Sequence, residues 1–200
     1  MRGDIVEIEL TAYHEAAHAL VALHHRWPVA RIRISTRLPG DGCTHLAPTR
    51  SNPAFTPTPG NIRRAWIETL TKYTASTRIL LAGPLAEAKL LATPLRSLGA
   101  SSDLQRAQSN YGFLLDAHRF LSQYRKLPAV PADFLNRERQ RTRRLIARQD
   151  HWHAISVLAG ALQQEHVLGE IDLTALIQAA LDERHPARLP GLFSRRKNDR

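Results

Sequence analysis

Between Ile5 and Arg26 the apolar residues Leu10, Tyr13, Ala17, Leu20, Val21 and Leu23 recur largely at helical spacing, and Pro28 ends the run. That periodicity commits the segment to a helix with one face in a core, and it sets the string Tyr13-His14-Glu15-Ala16-Ala17-His18 inside it. Residues four apart on a helix share a face, about 6 Å from one another, which lets two imidazoles meet one metal ion. Zinc in a hydrolytic site takes three protein ligands and keeps a fourth position for water, whose pKa it lowers to about 7. A glutamate beside the first histidine points to the side where that water sits and can take its proton. His14 and His18 are therefore candidate ligands and Glu15 a candidate general base. A chain with ten histidines also produces such a string by chance, so a third ligand has to decide.

His24 does not supply it. With Val21 and no glycine between, the helix continues, and His24 lies about 9 Å further along and roughly 120° around from His18. A di-iron bundle would need a second E-x-x-H besides Glu15/His18, and the chain has none.

Beyond the first helix, VARIRIST (29–36) alternates as a strand, Pro39-Gly40-Asp41-Gly42 is a turn, and Cys43-Thr44-His45-Leu46 is a second short strand. The Pro- and Thr-rich segment 47–60 is a long loop. Helical pattern returns at Asn61 and runs towards Ala92, with a kink or break predicted at Gly83-Pro84. The turn SLGASSD (97–103) precedes a helix through Leu121. After LPAVPAD (127–133) come a basic helix, the apolar run 154–168, and a last helix capped by Asp172. A mainly α fold with a small β-hairpin follows, divided as a core over 1–126, a C-terminal helical part of the same domain over 127–184, and a basic flexible tail over 185–200.

A hydrophobic content of 43% with 23% charged residues is ordinary for a globular protein whose core needs no disulfide, and the lone Cys43 excludes an intramolecular one. The start, MRGDIVEIEL, has acids where a signal peptide needs an apolar run, and no stretch is long enough for a membrane span, so a cytoplasmic location is expected. The net charge of +10 gathers mostly in 137–148 and 194–200. No aromatics are interleaved there, so a solvated arginine face is expected rather than a nucleic-acid site, with 137–148 left as a candidate docking surface.

Asp103 falls in the first turn of its helix, where the helix dipole and nearby N–H groups favour the ionised form. An ionised carboxylate is what a zinc site with two neutral imidazoles lacks. Alone, the residue reads as a charge favourable to its own helix. Taken with HEAAHAL (14–20), RIRIS and GCTHL (within 31–46), AGPLAE (82–87) and GASSDLQRAQ (99–108), however, the chain resembles the peptidase domain of the FtsH-type zinc metallopeptidases from about residue 10 to 182. The resemblance implies a helical zincin-type peptidase domain with a small sheet after the HExxH helix. It makes His14, His18 and Asp103 the ligands of Zn2+ and Glu15 the catalytic base, and offers Glu87 as the residue that orients a ligand. It also makes the strand around Gly42, Cys43 and Thr44 the edge that binds extended substrate by strand addition. Cys43 is then neither ligand nor nucleophile.

Ala17 and Pro84 depart from that family's pattern, and no G-x-x-x-x-G-K-[ST] occurs, so no ATP-driven unfolding is expected of these residues themselves. The expected activity is zinc-dependent, ATP-independent cleavage of flexible or unfolded protein and peptide substrates, alone or served by a separate ATPase or adaptor, with a homo-oligomer left open. A catalytically silent zinc-binding regulatory protein is the alternative, and an all-helical nucleic-acid binder a third reading.

Overall fold

A computed structural model describes residues 2–38, 40–47, 58, 60–94 and 102–184. Most of the long loop, the turn residues 97–101 and the whole tail 185–200 lie outside them. The elements run α1 (Arg2–His24), β1 (Val29–Ile34), β2 (Gly42–Leu46), α2 (Ile62–Leu90), α3 (Ser102–Ser122), α4 (Phe134–Ala147), α5 (Gln149–Glu165), β3 (Val167–Gly169) and α6 (Glu170–Arg184). The fold is mainly α, as expected, with one three-stranded antiparallel sheet.

The first helix sits in the middle of the core rather than on its surface. Ala12, Ala16, Ala17, Ala19 and Ala22 are all fully buried, together with Val21. A helix buried on several faces carries small residues because they let neighbouring backbones approach, and here α1 packs on α2, α5 and the sheet. The departure at Ala17 thus falls at a packed position that a methyl group fills. The helix ends in a Schellman turn, with Trp27 N–H donating to Ala22 O at 2.8 Å and Arg26 N–H to Leu23 O at 2.9 Å. Arg26 takes the left-handed φ of 60° that this turn demands.

Strand β1 is central, in the order β2-β1-β3. It pairs with β2 from Ile34↔Gly42 to Val29↔Leu46, with one irregularity between Val29 and Arg31. Val29, Ile32 and Ile34 face the core. The third strand is a correction to the sequence reading, which ran the apolar segment to residue 168 as one element. The helix α5 stops at Glu165 because His166 turns left-handed at φ 62°, and Val167–Gly169 then pair with Arg31–Arg33. Three residues are too few to show a period, and the strand is held by its partner.

Of the kink or break expected at Gly83-Pro84, the break does not occur: α2 continues through Pro84 to Leu90. Every residue from Ile79 to Ala86 is buried, so packing holds the backbone helical where local preference disfavours it. The C-terminal half of α2 joins α1, β1, α5 and α6 in the main core. Its N-terminal half forms a second cluster in which Ile62 and Trp66 meet Leu114, Leu121, Leu127, Val130 and Phe134. Buried Glu138 of α4 accepts hydrogen bonds from Arg78 of α2 and Arg141 of its own helix, which fixes α4 against α2.

Ile155 of α5 is fully buried in the main core. We expect Ile155→Ala to cost about 2–5 kcal/mol in denaturant unfolding, the range for deleting a large buried aliphatic side chain. A loss below about 1 kcal/mol would mean that α5 is not packed on α1 as described.

Candidate metal centre

Three elements bring their residues to one point. Helix α1 presents His14 and His18 on one face, α2 runs alongside, and α3 begins with Asp103 pointing back at both rings. His14 Nε2 lies 2.9 Å and His18 Nε2 3.0 Å from the same oxygen, Asp103 Oδ2. One ligand atom from each of the three residues falls within 4.8 Å of the others, and among the described residues no second such group of His, Cys, Asp or Glu occurs.

The outer nitrogens of both rings are held as well. His14 Nδ1–H donates to Glu87 Oε1 and His18 Nδ1–H to the Ile79 carbonyl, each at 2.6 Å. A carbonyl can only accept, so the His18 proton sits on Nδ1, and a neutral ring turns the bare Nε2 lone pair towards Asp103. Two acceptors facing at 3.0 Å repel unless a proton or a cation stands between them. This donor set, two imidazole Nε2 atoms and one carboxylate with the imidazoles braced from behind, suits zinc. Glu87, expected to orient a ligand, lies on His14.

The electrostatics agree. Burial alone would lower the His14 pKa, but hydrogen bonds to Asp103 and Glu87, with the negative charges of Glu87 and Glu15, push it up to about 10. Burial would raise Asp103, yet the hydrogen bonds and charges of His14 and His18 hold it well below the usual carboxylate range. Without metal, a proton does the work of a cation here.

Two glycines make room for the site. A Cβ at Gly83 would run into the His14 ring, Nε2 nearest, so α2 can lie this close to α1 only where residue 83 has no side chain. A Cβ at Gly42 would come within 2.8 Å of Glu15 Cγ and Oε1. Sequence reading took Gly83 for a helix breaker, since nothing local signals a clash that depends on how closely two helices approach.

Glu15 is buried, and its Oε2 accepts a hydrogen bond from Thr44 Oγ1 at 2.6 Å. The same hydroxyl lies 3.2 Å from the Glu15 carbonyl. Strand β2 therefore grips the candidate base with a side chain, whereas sequence reasoning assigned Thr44 only to a substrate-binding edge. Gly42, Cys43 and Thr44 line a cavity of about 440 Å³ that also contains His14, Glu15 and His18. Cys43 is a free, half-buried thiol on that wall and is not among the three converging residues. His24 lies elsewhere, its ring 5.2 Å from that of His25 and 5.6 Å from that of His151.

No protein-family model matches the chain. Over 99 residues it is 36% identical to the ATP-dependent zinc metalloprotease FtsH of Veillonella parvula, an alignment that takes in 48% of this chain and 13% of that protein. The chain is thus similar to a small part of a zinc metalloprotease. No helix among the described residues is long and apolar enough to cross a membrane.

Gly83→Ala provides a test by sign. In an ordinary helix interior the change stabilises by about 1 kcal/mol; here it should destabilise and weaken zinc binding about tenfold or more by displacing His14. A more stable variant with unchanged zinc affinity would show that His14 does not depend on that clearance.

Protons and zinc should compete for the same lone pairs. Because the His14 pKa is raised on folding, its contribution to metal-free stability is complete below about pH 6.5 and fades as pH climbs to about 10. Zinc binding near neutrality should release about one proton from His14, and apparent affinity should rise with pH. Titration calorimetry in buffers of different ionisation enthalpy reads the proton; a heat independent of buffer would contradict it.

Proposed function

We propose that this chain is a zinc-dependent metallopeptidase domain that cleaves extended, flexible segments of protein or peptide substrates. The observation that carries this reading is the meeting of His14, His18 and Asp103 beside a buried glutamate that a sheet edge holds in place. Zinc, when bound by the three residues, polarises the scissile carbonyl and lowers the pKa of the attacking water.

The chain's own residues do the rest. Among the described residues β2 pairs with β1 on one side only, which leaves its other edge to receive an extended peptide along the cavity wall. Glu15 takes the proton of the attacking water and returns it to the leaving amine. Thr44 occupies Oε2 of that carboxylate, and the missing side chain at Gly42 leaves Oε1 uncovered. Glu87 and the Ile79 carbonyl keep both imidazoles facing inward. A folded substrate would have to open locally before it could lie along β2. Opening falls to the substrate itself or to a separate ATPase or adaptor, because these 200 residues contain no phosphate-binding G-x-x-x-x-G-K-[ST] loop.

Glu15→Gln should retain zinc and lose cleavage of an unfolded model protein by about 10²-fold or more. A stable folded protein should resist the wild type with or without ATP. Undiminished cleavage by the zinc-loaded glutamine variant would overturn the mechanism, and an inert zinc-loaded wild type would favour a regulatory zinc protein. Thr44→Val, with the hydroxyl gone and the shape kept, should lower kcat about tenfold with little change in KM, and Thr44→Ser should restore it. Equal losses in the valine and serine variants would assign Thr44 to packing alone.

A further inference from the structure

On the opposite side of α2 from His14 lies a second and larger concavity, about 850 Å³, between the C-terminal end of that helix and α4. Its accessible apolar lining is Ala88, Ala92, Pro94 and Ala147, lying over Leu85 and Ile146, which the core already buries. Its cations come from both helices, Lys89 from α2 and Arg139 and Arg143 from α4, and no acidic residue lines it.

The arginines of α4 divide by partner. Arg137 pairs with Asp133 at 2.8 Å and Arg141 with Glu138 at 2.6 Å, so those charges are compensated. Among the described residues Arg139 reaches the neutral side chain of Asn136, at 2.7 Å, and neither it, Arg143 nor Arg144 forms an ion pair. Lys89 stands 4.5 Å over the ring of Trp152, without a carboxylate. Arg139 and Arg143 are four apart, so they share one helical face and repel along it. Three arginines of α4, Arg139, Arg143 and Arg144, thus have no ion pair among the described residues, and two of them, Arg139 and Arg143, line the groove.

We propose that this groove binds an acidic amphipathic segment of another protein, its apolar side chains laid against Ala88, Ala92, Pro94 and Ala147 and its carboxylates meeting Arg139, Arg143 and Lys89. An apolar floor between cationic walls matches such a segment in both respects. Nucleic acid fits less well, since no aromatic side chain lines the groove to stack a base and the floor offers nothing to a phosphodiester. The site requires neither zinc nor turnover, so it stands whether or not the metal centre cleaves peptides. For a peptidase, a docking groove apart from the cavity would raise the local concentration of a tethered substrate or adaptor.

The test is fluorescence anisotropy with three labelled probes: a peptide carrying Glu and Leu at helical spacing, the same peptide with Ser for Leu, and a single-stranded RNA of similar length. The full chain is compared with Arg139→Glu/Arg143→Glu and with Arg125→Glu/Lys126→Glu, a control pair at exposed positions outside the groove. We expect saturable binding of the Glu/Leu peptide, weakened about tenfold or more by the groove pair and little by the control pair. The serine peptide should bind more weakly than the leucine one. Should charge reversal disturb folding by circular dichroism, Arg139→Gln/Arg143→Gln serves instead. Absence of peptide binding, equal losses from both pairs, indifference to leucine, or tighter binding of RNA would each overturn the proposal.

Discussion

Two imidazole nitrogens lie within 3.0 Å of one carboxylate oxygen, and that meeting is stable only with positive charge at its centre. Much of the fold serves to bring it about. Asp103 lies 85 residues beyond His18 and reaches it because α3 packs on α2, which in turn packs on α1. Helix α2 supplies the Ile79 carbonyl, the Glu87 carboxylate and the gap at Gly83. Moving α2 by the size of a methyl group would disturb all three at once, since they lie within nine residues of one rigid element.

Close approach has its own cause in sequence. The run of buried alanines on α1 lets neighbours come near the helix axis, and it leaves His14, Glu15 and His18 as the largest groups on the face turned to the cavity. A larger residue at Ala16 or Ala17 would push away the elements that hold the histidines. The helix therefore trades bulk in its core contacts for precision at the site, with Val21, Ile155 and Leu158 around it filling the space.

How far the site could be read from sequence follows from the range of each interaction. The pairing of His14 with His18, and the placing of Glu15 between them, depends only on helical spacing, and it was legible. The hairpin was legible from alternation and a glycine-rich turn, and five of the six helices from periodicity and breakers, with α5 run on too far. What was not legible depends on contacts between distant segments. Val167–Gly169 is a strand only because β1 offers an edge, and α2 stays helical at Pro84 only because its surroundings are packed. The grip of Thr44 on Glu15 spans 29 residues and a change of element, with no local pattern to announce it.

Asp103 shows how two readings of one residue can be physically joined. From sequence it was either a favourable charge at a helix start or the third ligand, and the geometry makes these parts of one arrangement. Its place in the first turn of α3 sets the carboxylate near the positive end of a helix dipole, which favours the ionised form. The two imidazoles favour that form further, so the group is charged wherever His14 and His18 are available to share a metal ion. The helix start thus keeps the carboxylate ionised, and a cation bound to it would in turn tie the beginning of α3 to α1. A neutral asparagine would preserve much of the shape and supply neither effect. The carboxylate at residue 103 is where the stability of α3 and the chemistry of the cavity become the same requirement.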